Sequence, residues 1–282
     1  MEIHSAAGVG LAAHIRAHLS ELRDTEARVA RVVLDQGAQL VHLSVSDVAV
    51  LAGTAPSSVV RACQRLGFRG YQELKIAAAR QAPAPEPSHD QDPAARALAD
   101  TVRAAQEALS GLAATVTPER LRAAAGLVDA APRVLLVGAG LSGAVALDAA
   151  YRLRALGCAV DAPADPLTAQ LAASQLGSAA VCLAISHTGA TRTTVDTARC
   201  ARRAGAQVVA LTSYARSPLS ETSDCTLVAG GQDLVFGLET VASRLAHLAV
   251  IDALTLTLLG LRGAPAEEAL RLSADVTVDH SY

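Results

Sequence analysis

Lysine is almost missing from this chain: Lys75 is the sole lysine among its 24 lysines and arginines. Beyond that position no ammonium group is at hand for Schiff-base chemistry or to meet a phosphate. Cysteine is scarce and unpaired. Cys63, Cys158, Cys182, Cys200 and Cys225 are odd in number, form no C-x-x-C pair and mostly sit in apolar runs. That pattern predicts reduced, structural thiols and argues against a disulfide framework or a metal centre. The start, Met1-Glu-Ile-His-Ser, lacks a basic leader, and no apolar run approaches the roughly eighteen residues that span a bilayer. The expectation is a cytoplasmic protein with no membrane contact, no metal and no cofactor.

What the chain has in quantity is apolar residues, 51% of 282, enough for one sizeable core and a smaller one. Its net charge of −3 hides a local imbalance. Between Ala55 and Arg80 stand Arg61, Arg65, Arg69, Lys75 and Arg80 against Glu73 alone, a positive stretch suited to a polyanion.

Apolar positions Leu11, Ile15, Leu19, Leu22, Val29, Val32 and Val33 recur at helical spacing, so 11–36 is predicted helical throughout, Thr25 and Glu26 opening a second helix after Asp24. Helices are predicted at 46–52, 57–66 and 71–80, giving an all-helical domain over 1–81. The segment 82–93 carries four prolines and no large apolar residue, and reads as an extended linker. From 94 to 282, two amphipathic helices (94–114 and 118–131) precede alternating patterns. Strands are predicted at 133–137, 158–161, 180–185, 206–211 and 225–229, with helices at 142–156, 167–176, 192–204 and 218–222, then at 237–261 and 265–274. That alternation predicts an α/β doubly wound parallel sheet following the helical domain.

Two of the strand-to-helix turns carry the chemistry. Val134-Leu-Leu-Val-Gly-Ala-Gly-Leu-Ser-Gly143 and Ala184-Ile-Ser-His-Thr-Gly-Ala-Thr191 each end an apolar run in glycines and hydroxyls. Such turns present free backbone N–H groups and hydroxyls to an anion. Gly138 to Gly143 also spells G-x-G-x-x-G, and Asp161 follows near the end of the next strand, as a dinucleotide site would place its ribose carboxylate. The second turn favours a phosphomonoester instead, because Ser186, Thr188 and Thr191 supply donors that a dinucleotide fold does not need.

G-x-G-x-S, then S-H-T-G-x-T, then Gly205-Ala-Gln-Val-Val-Ala-Leu-Thr212 and Ser217-Pro-Leu219 resemble the sugar isomerase (SIS) domain over about residues 120–260. The resemblance implies a phosphosugar whose phosphate is held by Ser142, Ser186, Thr188 and Thr191, with Gly138, Gly140, His187 and Gly189 lending close backbone approach. SIS members often carry an acidic residue two positions after the last threonine; Thr193 stands there. His187, flanked by Ser and Thr at a strand end, reads as a packed or hydrogen-bonded spacer. Glu239 either reaches a sugar hydroxyl or complements a helix dipole.

In the N-terminal quarter, Leu43-Ser-Val-Ser-Asp-Val-Ala-Val-Leu-Ala-Gly53 and Pro56-Ser-Ser-Val-Val-Arg-Ala-Cys-Gln-Arg-Leu66 read as a helix, a Gly turn and a basic second helix. Ser57, Ser58, Arg61, Gln64 and Arg65 fall in the turns that would face base edges, with Arg69 and Lys75 following. Arginine forks onto guanine and glutamine onto adenine. Together with Gly67-Phe-Arg-Gly-Tyr-Gln-Glu-Leu-Lys75, these residues resemble the N-terminal domain of RpiR-type regulators, which also carry a C-terminal SIS domain. That family usually has Val-Ser before the recognition helix; Thr54-Ala55 stands here, and Thr54 or Ser57 is left to cap it. The resemblance implies a homodimeric or homotetrameric regulator whose binding to a double-stranded operator is modulated by a phosphosugar. Two rivals stay open: an NAD(H)-sensing regulator that needs Asp161, and a phosphosugar isomerase with His187, His247 or Glu239 as its base.

Overall fold

The computed structural model describes residues 11, 15, 18–79, 92–229 and 241–280. They cluster into two compact units that divide between Asp100 and Thr101. In the first unit a 3-10 turn, Leu19–Glu21, precedes α1 (Asp24–Gln36). The 11–36 segment is therefore not one continuous helix. Leu22 and Arg23 are extended, and the Arg23 N–H donates to the Glu26 carboxylate at 3.0 Å, closing the start of a fresh helix. A second 3-10 stretch, Gly37–His42, leads into α2 (Val45–Leu51), α3 (Pro56–Arg65) and α4 (Tyr71–Ala79). Their apolar faces meet at Val48, Val59, Ala62, Cys63, Leu66 and Leu74, all buried.

The two helices of the central pair start differently. Ser44 caps α2 reciprocally: Asp47 N–H donates to Ser44 Oγ at 3.1 Å, and Ser44 N–H donates to Asp47 Oδ2 at 2.9 Å. Helix α3 begins at Ala55 with no side-chain cap, so neither Thr54 nor Ser57 replaces the missing serine; Pro56 at the first helical position only removes one donor. Ala55→Ser is expected to stabilise this unit by about 1 kcal/mol. That corresponds to a rise of roughly 4–8 °C in its thermal midpoint, measurable by calorimetry, and no rise would show that the entry to α3 is fixed by other contacts.

The second unit contains α5 (Pro93–Ser110) beyond Asp100, α6 (Leu112–Thr115) and α7 (Pro118–Ala130). Then come β1 (Val134–Gly138), α8 (Leu141–Ala155), β2 (Val160–Asp161), α9 (Pro166–Ser174), β3 (Val181–Ile185), α10 (Arg192–Arg203), β4 (Gln207–Thr212), β5 (Cys225–Val228), α11 (Val241–Arg262) and α12 (Ala264–Asp279). All strand pairs are parallel, in the order β2-β1-β3-β4-β5. This is the doubly wound sheet that the alternation predicts. Helix α11 packs on α7 and α8, while α9 packs on α10; right-handed crossovers put these sets on opposite faces. Order reverses between β1 and β3, which opens a crevice at their carboxyl ends.

Two expectations fail here. Residues 218–222 form hydrogen-bonded turns rather than a helix, because hydroxyls take over the backbone's partners: Ser220 N–H donates to Ser217 Oγ (3.2 Å) and Thr222 Oγ1 donates to Pro218 O (2.8 Å). Ser243–Arg262, within α11, is long and apolar enough to cross a membrane, against the reading that no run approaches that length. Its buried side chains Ala246, Val250, Ile251, Leu254 and Leu258 serve instead as the core face toward α7 and α8. The predicted linker falls mostly, and Gly237 wholly, outside the described residues.

Candidate functional site

The β1–β3 register sets Gly138 directly beside Ile185, so the two turns leave the sheet side by side on strands about 4.8 Å apart. At the first, a Cβ on Gly138 would lie 2.5 Å from the Ser142 carbonyl oxygen. Only glycine lets the first turn of α8 come this close to β1. Ser142 is buried, its hydroxyl bonds to no described residue, and its oxygen is not among those sealed from solvent. At the second turn Ser186 and Thr191 hydroxyls share a hydrogen bond of 3.0 Å, Thr188 Oγ1 accepts from Ala190 N–H at 3.2 Å, and Gly189 holds φ +61°. A Cβ on Gly189 would fall 2.1 Å from Ser217 Oγ.

His187 is buried and pinned from behind. Its Nδ1 lies 2.8 Å from Ser213 Oγ, which donates to Ala229 O at 2.8 Å; His247 Nε2 lies 2.9 Å from the same carbonyl and 3.1 Å from Ser213 Oγ. A carbonyl only accepts, so His247 donates from Nε2, and with Ser213 donating to Ala229, His187 donates from Nδ1. This is the spacer role read from the sequence. The residues behind it, Ser213 and His247, carry no local motif and meet only through the fold.

Burial, and secondarily the neighbouring His187, push the His247 imidazole down to about 4 from its ordinary 6.5. Above pH 6.5 both folded and unfolded chains hold it neutral. As pH falls toward 4 the unfolded chain takes up a proton that the folded site refuses, so stability is lost, by about 3 kcal/mol in all. His247→Gln is expected to flatten the fall in thermal midpoint between pH 7 and 4. An unchanged slope would remove this histidine from the acid response.

Beside the glycine turn lies a cavity of about 390 Å³. Of the residues expected at the phosphate, Gly138 and Gly140 line it; Ser142, Ser186, His187, Thr188, Gly189 and Thr191 do not. Its other walls come from Ala144 and Leu147 of α8, Pro163 and Pro166 before and within α9, and Thr193, Thr194 and Thr197 of α10. Thr194 Oγ1 is one of two sealed side-chain oxygens without a partner among the described residues, the other being Ser46 Oγ. Sequence reasoning passed over Thr194, although it stands one helical turn from Thr191.

Asp161 does not meet the requirement of a dinucleotide site. It pairs in register with Leu135, three residues short of Gly138, hence about 10 Å from the strand end, and its carboxylate is bound by Arg133 Nη2 at 3.1 Å. Glu239 lies outside the described residues. Burial drives the Cys63 and Cys182 thiols up to about 12, which keeps these two inert. Among the described residues no cluster of His, Cys, Asp or Glu could hold a metal.

In the helical unit, Ser57, Arg61, Gln64, Arg65 and Arg69 are exposed. Ser58 and Lys75 are not. Ser58 turns into the core beside Val59 and receives Arg61 Nη2 at 3.1 Å; Lys75 is buried on the inward side of α4. Placing those two against DNA is therefore corrected, because both side chains are buried. Arg65 leans toward buried Glu26 (3.9 Å) while staying half exposed, and Arg69 lies 3.4 Å from Glu73.

A helix-turn-helix unit followed by a parallel sheet with two adjacent anion-type turns defines a class of transcriptional regulator with a C-terminal α/β domain. Residues 9–84 match the model of the helix-turn-helix domain of the rpiR family, and residues 127–257 match the SIS domain. The chain is 30% identical over 282 residues to the HTH-type transcriptional regulator HexR of Pseudomonas aeruginosa, covering 95% of each. It is also 30% identical over 245 residues to an uncharacterized HTH-type regulator of Caldanaerobacter subterraneus, covering 85% of this chain and 87% of that one. Among solved structures it is similar to the Vibrio vulnificus NanR protein complexed with ManNAc-6P: TM-score 0.83, 24% identity, 96% of this chain and 99% of that one. The SIS domain of an RpiR transcription factor from Sphaerobacter thermophilus overlays with TM-score 0.56 at 24% identity, 63% of this chain and 98% of that one. The chain belongs to the rpiR family of HTH-type transcriptional regulators.

Proposed function

We propose that this regulator reads a phosphosugar in its SIS domain and transmits occupancy to operator binding by the helix-turn-helix domain, as a homodimer or homotetramer in the cytoplasm. Domain limits of 1–81, 82–93 and 94–282 go with this reading. The observation that carries it is the β1–β3 register, which aligns two hydroxyl-bearing turns at one sheet edge. Ser142, Ser186, Thr188 and Thr191 bind the phosphate through hydroxyls, and backbone around Gly138, Gly140, His187 and Gly189 lines it. Glu239 is proposed as a sugar contact. NanR, named as complexed with ManNAc-6P, illustrates a phosphosugar held by a protein of like fold.

Binding without turnover is supported by the relatives, which are named as transcriptional regulators. Ser57, Arg61, Gln64, Arg65 and Arg69 form the DNA face. A phosphosugar acts as a signal only if it binds the DNA-competent and incompetent states unequally. The test is a gel shift with the operator selected from random duplexes, with and without a phosphosugar panel. Arg61→Ala is expected to weaken specific binding by about 1–3 kcal/mol with its thermal midpoint unmoved. Operator affinity indifferent both to Arg61 and to every phosphosugar would defeat the proposal.

A further inference from the structure

Arg61 and Arg65 stand one helical turn apart on the exposed face of α3, and each has a buried oxygen behind it. Arg61 Nη2 donates to Ser58 Oγ at 3.1 Å, and Ser58 is 7% exposed. Arg65 Nε lies 3.9 Å from Oε1 of Glu26, which is 5% exposed and belongs to a different helix, α1. The second carboxylate oxygen, Oε2, accepts from Arg23 N–H at 3.0 Å, so one oxygen ties Glu26 to the start of α1 while the other faces α3. Neither anchor resembles the Arg69–Glu73 pair, an exposed contact between near neighbours in the chain. A guanidinium has several N–H donors, and restraining one of them leaves others for a base edge. An arginine already held in this way loses less freedom when it forks onto a base.

We propose that Ser58 and Glu26 are positioning residues for operator reading, which aim Arg61 and Arg65 at base edges and set specificity without touching DNA themselves. The inference rests on the DNA face proposed above and adds what makes that face selective. Glu26 carries a further consequence. Its negative charge opposes a polyanion, so removing it favours every duplex alike while releasing the arginine that selects the right one.

The test titrates full-length protein, at fixed salt, with the operator selected from random duplexes and with a random duplex of equal length. Glu26→Gln keeps an acceptor for Arg23 N–H and is expected to lower the operator-to-random affinity ratio about three- to tenfold, part of what one bidentate base contact supplies, while random-duplex affinity holds or rises. Ser58→Ala should lower the same ratio about threefold with random-duplex affinity unchanged. In a repeated selection, Glu26→Gln should relax the base position that Arg65→Ala relaxes, and Ser58→Ala the position that Arg61→Ala relaxes. A second Glu26→Gln change in the Arg65→Ala variant should leave the ratio where it was. If Glu26→Gln fails to fold, Glu26→Asp keeps the charge but shortens the reach, and should lower the ratio at constant random-duplex affinity. For either residue, affinities that fall or rise together, an unchanged ratio or a mismatched base position overturns its positioning role. If Arg61→Ala and Arg65→Ala both leave operator binding intact, the DNA face itself falls and takes this inference with it.

Discussion

Ser142→Ala combined with Ser186→Ala is expected to weaken phosphosugar binding at least 100-fold while the protein stays folded. Each hydroxyl would give a phosphate one charge-assisted hydrogen bond, about 1.5–3 kcal/mol, and two such losses amount to two or more decades in Kd. The stability cost is smaller. Among the described residues Ser142 Oγ has no hydrogen-bond partner to lose, and Ser186 Oγ gives up its bond to Thr191. Calorimetric titration of the double variant with the best wild-type phosphosugar reads the first quantity and a thermal melt the second. Retained affinity would mean that the anion sits elsewhere, whatever the family membership of the chain. Basal operator binding is the internal control, since neither serine belongs to the helical unit.

The second large effect is on the fold itself. Gly189→Ala would place a methyl 2.1 Å from Ser217 Oγ, 2.4 Å from Ser217 Cβ and 2.9 Å from Thr212 Oγ1, at φ +61°. The left-handed backbone costs an L-residue about 1–2 kcal/mol and overpacking about 1–3 kcal/mol, so a loss of about 2–5 kcal/mol is expected. Ser217→Gly in the same chain removes the crowding and leaves the backbone cost. A double variant more stable than the sum of the two single losses would separate the two contributions. Additive losses would mean that the turn relaxes away from residue 217. The close approach matters for the ligand too, because Leu219 N–H donates to Gly189 O at 2.9 Å and ties the second turn to the chain after β4.

The parallel sheet was legible because buried strands read as short apolar runs and the glycines that end them are spaced by whole βα units. That the two glycine turns leave neighbouring strands followed from the βα alternation; the joint use of Ser142, Ser186 and Thr191 is the proposal above. What could not be read was set by side chains distant in sequence. Whether 218–222 becomes a helix depends on Ser217 and Ser220 competing for backbone donors. The place of Asp161, on which only the dinucleotide rival depended, could not be read by counting residues after a glycine motif, which does not say how far up the next strand a carboxylate stands. Ser58 and Lys75 follow the same rule: a polar residue type suggests exposure, but helix phase against Val59 and Leu74 decided it. Thr194 was passed over because only the fold shows that its hydroxyl is sealed without a partner among the described residues.

Strand β2 joins the sheet through two residue pairs, Val134 with Val160 and Leu135 with Asp161, against five for β3. The chain that leaves it becomes the wall at Ala162, Pro163 and Ala164, then is clamped by Asp165, whose carboxylate accepts from Thr168 N–H at 2.8 Å. The sheet's least-anchored rung thus stands beside the cavity that opens from the β1 glycine turn. Substitutions along this margin are therefore expected to reshape the cavity while the four central strands keep their pairing.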